Sequence, residues 1–170
     1  MPEKFAGLKP AFAKNGTITA ANASKINDGA AAMILMSEQA AKDRGLKPLA
    51  RIVAWEDAAV LPIDFAIAPS KACTKLLAKA GMSMNDIEYH EVNEAFSAVA
   101  LANMKLLDLD PSRVNINGGA VALGHPLGVS GARIMISLMN VLRQKDATMG
   151  MASICNGGGG ASAIILERMN

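Results

Sequence analysis

Short apolar runs alternate with amphipathic stretches along this chain. The apolar runs have the length of buried strands and are bounded by glycine, proline or polar residues; they lie at residues 30–36, 51–55, 87–92, 148–154 and 161–166. Between them, apolar residues recur at helical spacing over residues 38–44, 69–80, 94–107 and 130–143. Alternating strands and helices that end in a hairpin predict an α/β fold, with helices covering a mixed five-stranded sheet.

Capping residues mark the ends of the first predicted helices. Ser37 precedes the first helix, and a serine side chain at that position accepts a hydrogen bond from a free N–H group. Gly45 and Gly81 follow the first and second helices, where glycine adopts the left-handed conformation at little cost. Residues 1–22 contain prolines and glycines with weak periodicity, which predicts irregular chain.

Composition narrows the classes of function. The chain is 51% hydrophobic but only 4% aromatic, so we expect a core of small aliphatic side chains. A net charge of +2 with mixed signs offers no basic stripe for nucleic acid and no lysine cluster for a membrane surface. No apolar stretch reaches the ~20 residues of a membrane-spanning helix. Two cysteines and no signal-peptide pattern predict a soluble protein of a reducing compartment.

A polar cluster at residues 93–96 lies where a predicted strand ends and a helix begins. It reads Asn-Glu-Ala-Phe. Chemistry in α/β folds is usually placed at the carboxyl ends of strands, which makes Asn93 a candidate functional residue. Asparagine is also a good helix cap, and the residues alone leave both interpretations open.

A second candidate is the segment 118–131, which reads GGAVALGHPLGVSG. Its small residues let backbone approach a ligand closely, and Pro126 restricts the backbone of His125. The segment is neither a phosphate-binding loop nor a complete nucleophile elbow. His125 is therefore either a catalytic residue or a structural one, whereas His90, in the middle of a strand, is predicted to be structural.

The third candidate joins the last two predicted strands. Cys155 and Asn156 are followed there by four glycines. A hairpin needs one or two glycines, and the surplus suggests backbone N–H groups that face an anion or a developing oxyanion. An inert buried cysteine before a turn is the alternative. Cys73 lies within an apolar helix and is predicted to be core, and the histidines and cysteines do not have zinc spacing.

Together and in this order, the three motifs resemble the C-terminal signatures of the thiolase family. These signatures are the NEAF box, the glycine-rich loop around His125 and the terminal CxGGG turn. Residues 15–24 and 27–31 also resemble thiolase sequence, so the resemblance covers the whole chain. The runs at 57–59 and 62–65 are most similar to acetoacetyl-CoA thiolases of the mitochondrial type.

The resemblance implies a fold of two similar halves, usually in dimers or tetramers, so we expect a homo-oligomer. It places residues 1–45 at the end of the loop region and N-terminal half, and residues 46–170 in the C-terminal domain. The implied reaction is the reversible condensation of two acetyl-CoA to acetoacetyl-CoA and CoA. The acyl-carrying cysteine of the family lies in the N-terminal half, so we expect this chain to need that half as a partner and to be inactive alone.

The resemblance assigns four catalytic positions to this chain. Cys155 would be the acid/base that moves the α-proton of acetyl-CoA. His125 would activate the nucleophilic cysteine and point a nitrogen at the thioester oxygen. Asn93 would hold the water that completes this oxyanion hole, and the N–H of Gly157 would help to form a second one.

Ligand contacts are implied in the same way. Ser24 resembles a residue that touches the CoA arm, and Phe65 resembles part of the acyl-pocket wall, although Ala66 replaces a proline common there. No covalent cofactor is implied. The mitochondrial type uses K⁺ held by backbone carbonyls, and the matching positions are Ala20, Ala21, Ala23 and Val121.

Two other functions stay open at this point. A 3-ketoacyl-CoA thiolase of longer chain specificity would share these motifs. A non-catalytic folded or oligomerisation fragment belongs to another class, and adding the other half would distinguish it from an enzyme. The expected compartment is the mitochondrion or the cytoplasm, without secretion.

Overall fold

The computed structural model describes residues 2–169. Its helices are α1 Glu38–Asp43, α2 Ala68–Ala80, α3 Ser97–Leu107, α4 Ala120–Leu123 and α5 Ser130–Gln144. Its strands are β1 Ala50–Ala59, β2 Tyr89–Val92, β3 Met149–Cys155 and β4 Gly160–Arg168. Short 3₁₀ turns span Pro2–Gly7, Pro62–Ile67, Met84–Asp86 and Pro111–Arg113. No helix in this part of the chain is long and apolar enough to cross a membrane.

The predicted caps of the first two helices are confirmed, whereas α3 begins at Ser97 rather than at the predicted residue 94. The Ser37 hydroxyl accepts a hydrogen bond from the N–H of Ala40 at the start of α1. Gly81 ends α2 with φ 66°, in the left-handed region that glycine adopts at little cost. Capping chemistry is local, so it could be read correctly from a few consecutive residues.

The four strands form one mixed sheet in the order β1-β4-β3-β2. The pairs β1–β4 and β3–β4 are antiparallel, whereas β2 and β3 run parallel. The prediction of a fifth strand at 30–36 is wrong. Ile34 and Leu35 are 88% and 70% exposed there. An apolar run becomes a strand only when another strand supplies backbone partners, and none of residues 2–169 pairs with this run in a strand.

Helices cover both faces of the sheet. On one face, Leu76 of α2 packs in a buried cluster with Met151 and Ile165. On the other face, α5 packs against the neighbouring positions, in a cluster that contains Leu138, Ala152 and Leu166. Successive strand residues point to opposite faces, so β3 and β4 each serve both clusters. This α/β layering confirms the predicted class and fixes the sheet edge where β2 and β3 end.

Candidate active site

Two of the predicted site residues lie at the carboxyl ends of neighbouring parallel strands. Asn93 directly follows β2, and its N–H donates to the carbonyl of Ser153 on β3 at 2.9 Å. Cys155 is the last residue of β3. Because parallel strands end at the same edge of a sheet, the pairing brings these two residues to one edge although 62 positions separate them.

Asn115 closes the outer side of β2 just before Asn93. Its Oδ1 accepts from the N–H of Val92 and its Nδ2 donates to the carbonyl of Val92, both at 2.8 Å. The side chain thus takes the place of a neighbouring strand at this position. Asn115 itself has φ 49°, which asparagine tolerates better than most residues. It holds the backbone that carries Asn93, and the sequence analysis did not identify it.

Asn93 does not cap a helix. Helix α3 begins four residues later, at Ser97, with Phe96 in the cap position. The Asn93 side chain is buried and points elsewhere: its Nδ2 lies 3.4 Å from Nε2 of His125, and its Oδ1 accepts from Nη2 of Arg133 at 3.4 Å. The helix-cap interpretation is therefore wrong, and two elements distant in sequence meet at this amide.

His125 lies in the loop between α4 and α5, packed against residues 25–29. Its N–H donates to the carbonyl of Lys25 at 2.8 Å. Gly124 has φ +100°, and a Cβ added to it would collide with the side chain of Asn27. A Cβ on Gly29 would lie 2.8 Å from Cγ of Pro126. The small residues of this loop therefore permit a close backbone approach that fixes the position of the imidazole.

Hydrogen bonding determines which nitrogen of His125 carries the proton. Arginine only donates, so the Asn93 oxygen faces Arg133 and its NH₂ group faces Nε2 of His125, which must accept. Nδ1 then carries the hydrogen and lies 2.6 Å from Oγ of Ser130. Ser130 donates onward to the carbonyl of Pro126 at 3.1 Å. The neutral ring thus presents an Nε2 lone pair at the site.

The electrostatic surroundings agree with a neutral ring. Burial lowers the pKa of His125 because it disfavours the charged imidazolium, and the nearby Arg133 guanidinium lowers it further. The Nε2 lone pair accepts only a long hydrogen bond from Asn93, at 3.4 Å, so the neutral imidazole can exchange that bond for a proton and act as a general base. The sequence analysis identified His125 but found neither Ser130 nor Arg133.

Cys155 is held by burial and by its strand. It is 9% exposed and is a free cysteine. Burial raises the pKa of its thiol, because the charged thiolate is poorly solvated there. Such a thiol stays protonated at neutral pH and becomes a strong base once it has lost its proton. Cys155 is therefore suited to proton transfer rather than to service as a ready nucleophile.

The glycine turn after Cys155 leaves one N–H group exposed. Asn156 Oδ1 accepts from the N–H groups of Gly158 and Gly160, both at 3.2 Å, and the Asn156 carbonyl accepts from Gly159 at 3.2 Å. Within residues 2–169, the N–H of Gly157 has no such partner, and this residue is exposed. The turn therefore offers one unpaired donor two residues after the thiol.

Ser24 and Phe65 both lie beside the segment that carries Asn93. The Ser24 hydroxyl and N–H donate to the carbonyl of Ala95, at 2.8 and 3.1 Å. The Phe65 and Phe96 rings meet edge to face with their centroids 6.3 Å apart. The sequence analysis gave Phe96 no role, yet it is the residue through which Phe65 reaches this region.

The four predicted potassium carbonyls lie in two places, a turn near the start of the chain and helix α4. Three belong to a turn in which Thr19 accepts from the N–H groups of Asn22 and Ala23, and the N–H of Val121 donates to Glu94 at 3.1 Å. Among residues 2–169, no hydrogen bond reaches the carbonyl oxygens of Ala20, Ala21, Ala23 and Val121. The same stretch holds no group of three or more acidic, histidine or cysteine residues suited to a metal ion.

Two further titratable residues lie on β2. His90 is buried, and burial, followed by the Arg113 charge, lowers its pKa to about 4. Glu91 is 1% exposed, with its Oε2 3.9 Å from Nη1 of Arg133. Burial raises the pKa of Glu91 to about 7, while Arg133 opposes that rise. A charged residue within an apolar strand was the available sequence signal for Glu91.

Family models assign the class of the protein. Residues 46–168 match the C-terminal domain of thiolase, and residues 1–39 match its N-terminal domain. The chain therefore belongs to the thiolase family, as its motifs indicated.

Comparison with individual proteins shows which members of the thiolase family this chain is similar to. The chain is 60% identical to a mitochondrial acetyl-CoA acetyltransferase of Xenopus tropicalis, over 98% of this chain and 39% of the relative. The acetyl-CoA acetyltransferase structure from Bacillus anthracis is 50% identical, with a TM-score of 0.97 over 99% of this chain and 43% of that one. Human mitochondrial 3-ketoacyl-CoA thiolase in complex with CoA is 45% identical, with a TM-score of 0.96 and the same coverage. The chain thus spans about two fifths of the length of these relatives.

Proposed function

We propose that this chain supplies the acid/base part of an acetyl-CoA acetyltransferase, which condenses two acetyl-CoA reversibly to acetoacetyl-CoA and CoA. The observation that carries the proposal is the meeting of Asn93 and Cys155 at one sheet edge, with His125 in contact with Asn93. Relatives named acetyl-CoA acetyltransferase at up to 60% identity support the choice of reaction.

His125 would act first. Its Nε2 lone pair takes the proton of a nucleophilic cysteine thiol, and the resulting thiolate attacks the acetyl thioester carbon and expels CoA thiolate. Neither Cys73 nor Cys155 is assigned that role. The N–H now on Nε2 can donate a hydrogen bond to the thioester oxygen of the second acetyl-CoA, and its proton returns to the nucleophilic cysteine when that cysteine leaves. A water held by Asn93 would be the second donor to this oxygen.

Cys155 would move the α-proton. Its thiol first protonates the departing CoA thiolate, which leaves Cys155 as a thiolate. This thiolate then takes a proton from the methyl group of the second acetyl-CoA, and the enolate carbon attacks the acyl-enzyme carbonyl. The C–C bond forms as the acyl-carrying cysteine leaves, with the N–H of Gly157 stabilising the oxyanion of that addition. The N–H of Gly157 is exposed and has no hydrogen-bond partner in residues 2–169, which supports this assignment.

The ligand contacts are proposed on the same basis. Coenzyme A thioesters would be the substrates, without a covalent cofactor, and Ser24 and Phe65 would line the CoA arm and acyl group beside Phe96. Carbonyls without hydrogen bonds suit a cation, which supports K⁺ at Ala20, Ala21, Ala23 and Val121. Exchange of Na⁺ for K⁺ would then raise the rate of the assembled enzyme, and equal rates would remove this assignment.

The domain division, the oligomeric state and the compartment are also proposed from the resemblance to the family. Residues 1–45 would complete the loop region and N-terminal half, and 46–170 would form the C-terminal domain of a homo-oligomer in mitochondria or cytoplasm.

A longer-chain 3-ketoacyl-CoA thiolase is the second candidate, supported by the human structure at 45% identity. The two differ in the depth of the acyl pocket rather than in chemistry. Rates of thiolysis for substrates of increasing acyl length separate them: the proposed enzyme prefers acetoacetyl-CoA, and a preference for longer acyl chains would replace it with the second candidate.

The testing experiment follows acetoacetyl-CoA loss with added CoA. The 170-residue chain is assayed alone and after mixing with a separately produced N-terminal thiolase half. We expect turnover only in the mixture, because acyl transfer needs the nucleophile of the other half. Turnover by the chain alone, abolished by Cys155→Ala, would contradict the division of the site. A mixture that assembles but never turns over would contradict the function itself.

A further inference from the structure

A pair of ionisable residues, one buried and one mostly buried, lies beside Asn93. Glu91 on β2 and Arg133 on α5 approach to 3.9 Å, at Oε2 and Nη1. Both carboxylate oxygens of Glu91, and Nε and Nη1 of Arg133, are buried without a hydrogen-bond partner in residues 2–169. Burying two ionisable groups is costly whether or not the carboxyl keeps its proton, and it seldom increases stability by itself. Such an arrangement therefore calls for an explanation in terms of what it positions.

The remaining nitrogen of Arg133 reaches the site. Nη2 donates to Oδ1 of Asn93 at 3.4 Å, and the Nδ2 of the same amide lies 3.4 Å from Nε2 of His125. An amide can rotate by 180° and exchange its donor and acceptor ends. Because a guanidinium has no acceptor, Arg133 disfavours the rotated amide, whose NH₂ group would face its N–H donors.

The orientation of the amide matters for His125. With the NH₂ group toward Nε2, that nitrogen accepts and the proton stays on Nδ1, next to Ser130. With the oxygen toward Nε2, the ring would be favoured with its proton on Nε2 and would have no lone pair at the site. The direction of the whole hydrogen-bond chain is thus set at one end by a pure donor, Arg133, and at the other by a pure acceptor, the Pro126 carbonyl.

We propose that Arg133, anchored by Glu91, is a positioning residue that fixes the orientation of the Asn93 amide and, through it, the tautomer of His125. Its catalytic meaning rests on the proposed function, because only a general base needs an unprotonated Nε2 that can accept a proton. The positioning itself is independent of turnover and can be measured without substrate.

The test uses nitrogen NMR of the imidazole and the Asn93 side-chain amide. Arg133→Met alone would leave Glu91 buried without its partner, so the comparison is Glu91→Gln against Glu91→Gln/Arg133→Met. We expect neutral His125 with its proton on Nδ1 in the first protein. In the second, loss of one hydrogen bond should shift the tautomer ratio toward Nε2–H roughly tenfold. An unchanged ratio in a folded double variant would overturn the proposal.

Two controls separate positioning from a general structural effect. Arg143 is on the same helix and exposed, and among residues 2–169 its side chain hydrogen-bonds only to Asn140, at 3.3 Å, so Arg143→Met should leave the tautomer ratio unchanged. In an Asn93→Ala background, removing Arg133 should also leave the ratio unchanged, because the amide that transmits the effect is gone. A full shift in that background would mean that Arg133 acts on His125 through its charge alone, against the proposal.

Kinetics of the assembled enzyme give a second readout. We expect the Arg133 change in the Glu91→Gln background to lower kcat roughly tenfold with KM nearly unchanged, and Arg133→Lys to restore part of the loss. A normal kcat despite a shifted tautomer would overturn the catalytic meaning of the proposal. If the assembled wild-type enzyme shows no turnover while the double variant still shows the tautomer shift by NMR, the proposed function is refuted and the positioning role of Arg133 stands.

Discussion

The His125 and Cys155 sides of the site serve the same sheet edge but are held by different means. His125 lies on a loop, and both ring nitrogens have side-chain partners, in Asn93 and Ser130. Cys155 ends a strand. In the part of the chain that the structure describes, burial raises the pKa of its thiol, and a hydrogen bond with its own backbone opposes that rise. An imidazole must hold its proton on a particular nitrogen, which requires directional partners. A thiol has one reactive atom, so position and burial suffice.

The largest expected effect is on the chemistry of the cysteine side. Cys155→Ala in the assembled enzyme should lower the condensation rate by roughly 10²–10⁴-fold, the usual contribution of a general acid/base. Acyl transfer onto the other half should persist, because CoA can leave as a thiolate and take its proton from solvent when the Cys155 thiol is absent, whereas removal of the α-proton needs a positioned base. Labelled acetyl-CoA reports both steps. Equal loss of acyl transfer would mean that the two sides do not divide the work in this way.

The next effect concerns the backbone that holds Cys155. Gly159 has φ +87°, and a Cβ there would collide with the Val60 carbonyl, so Gly159→Ala should lower the free energy of unfolding by about 3 kcal/mol. Gly157→Ala is the matched control in the same turn, since within residues 2–169 no atom beyond its two chain neighbours lies within 4 Å of its Cβ position. Urea unfolding measures both. A large loss in the Gly157 variant would show that the turn, rather than the left-handed residue, is intolerant.

His90 and Glu91, the buried residues of β2 that precede Asn93, should make the free energy of unfolding depend on pH in opposite directions. His90, with its pKa lowered from 6.5 to about 4, stabilises the fold less as pH falls from 6.5 to 4, because the unfolded chain binds more protons. Glu91, with its pKa raised from 4.5 to about 7, stabilises it less as pH rises from 4.5 to 7. The two slopes oppose each other between 4.5 and 6.5.

Replacing Glu91 should therefore leave the pH dependence that His90 contributes. Relative to wild type, Glu91→Gln should gain about 2 kcal/mol in unfolding free energy between pH 5 and 6.5, since one shifted group contributes up to about 1.4 kcal/mol per pH unit. Urea unfolding at the two pH values measures it. Parallel pH profiles for the variant and the wild type would show that Glu91 is ionised in the folded state.

The smallest expected effect is on the histidine side. Ser130→Ala removes the partner of Nδ1, which lies 2.6 Å away, so the preferred tautomer loses about one hydrogen bond. We expect kcat of the assembled enzyme to fall roughly tenfold. Ser130→Thr, which keeps the hydroxyl, should retain more activity. A wild-type rate for the alanine variant would mean that the ring does not depend on directional partners.

Local sequence signals predicted the positions of helices and strands well, but they predicted which residues pair in the sheet less well. Ser37 and Gly81 gave correct helix ends, because a cap is a property of a few consecutive residues. Strand β1 is longer than the predicted 51–55, since Glu56 and Asp57 interrupt the apolar pattern although they pair with β4. The run at 30–36 failed in the opposite sense: its residues favour a strand, but pairing depends on partners that a local pattern does not contain.

The candidate site shows the same division. The motifs indicated Asn93, His125 and Cys155, but the residues that orient them were missed. Arg133 contacts Asn93 across 40 positions of sequence, and Asn115 contacts Val92 across 23. Such contacts arise when β2, α5 and the loop are brought together, so no spacing within one segment predicts them. The burial, protonation and hydrogen-bond directions of these residues arise only in the folded state.

The central claim is that this sheet edge carries the proton-transfer half of a thiolase, with Cys155 as the group that moves the α-proton. Deuterium exchange into the methyl group of acetyl-CoA in D₂O tests it most directly, because it follows that proton without requiring C–C bond formation. With the enzyme assembled from both halves, mass spectrometry should show exchange in the wild type and almost none in Cys155→Ala, while acyl transfer continues. Exchange at the wild-type rate in the Cys155→Ala enzyme would contradict the account.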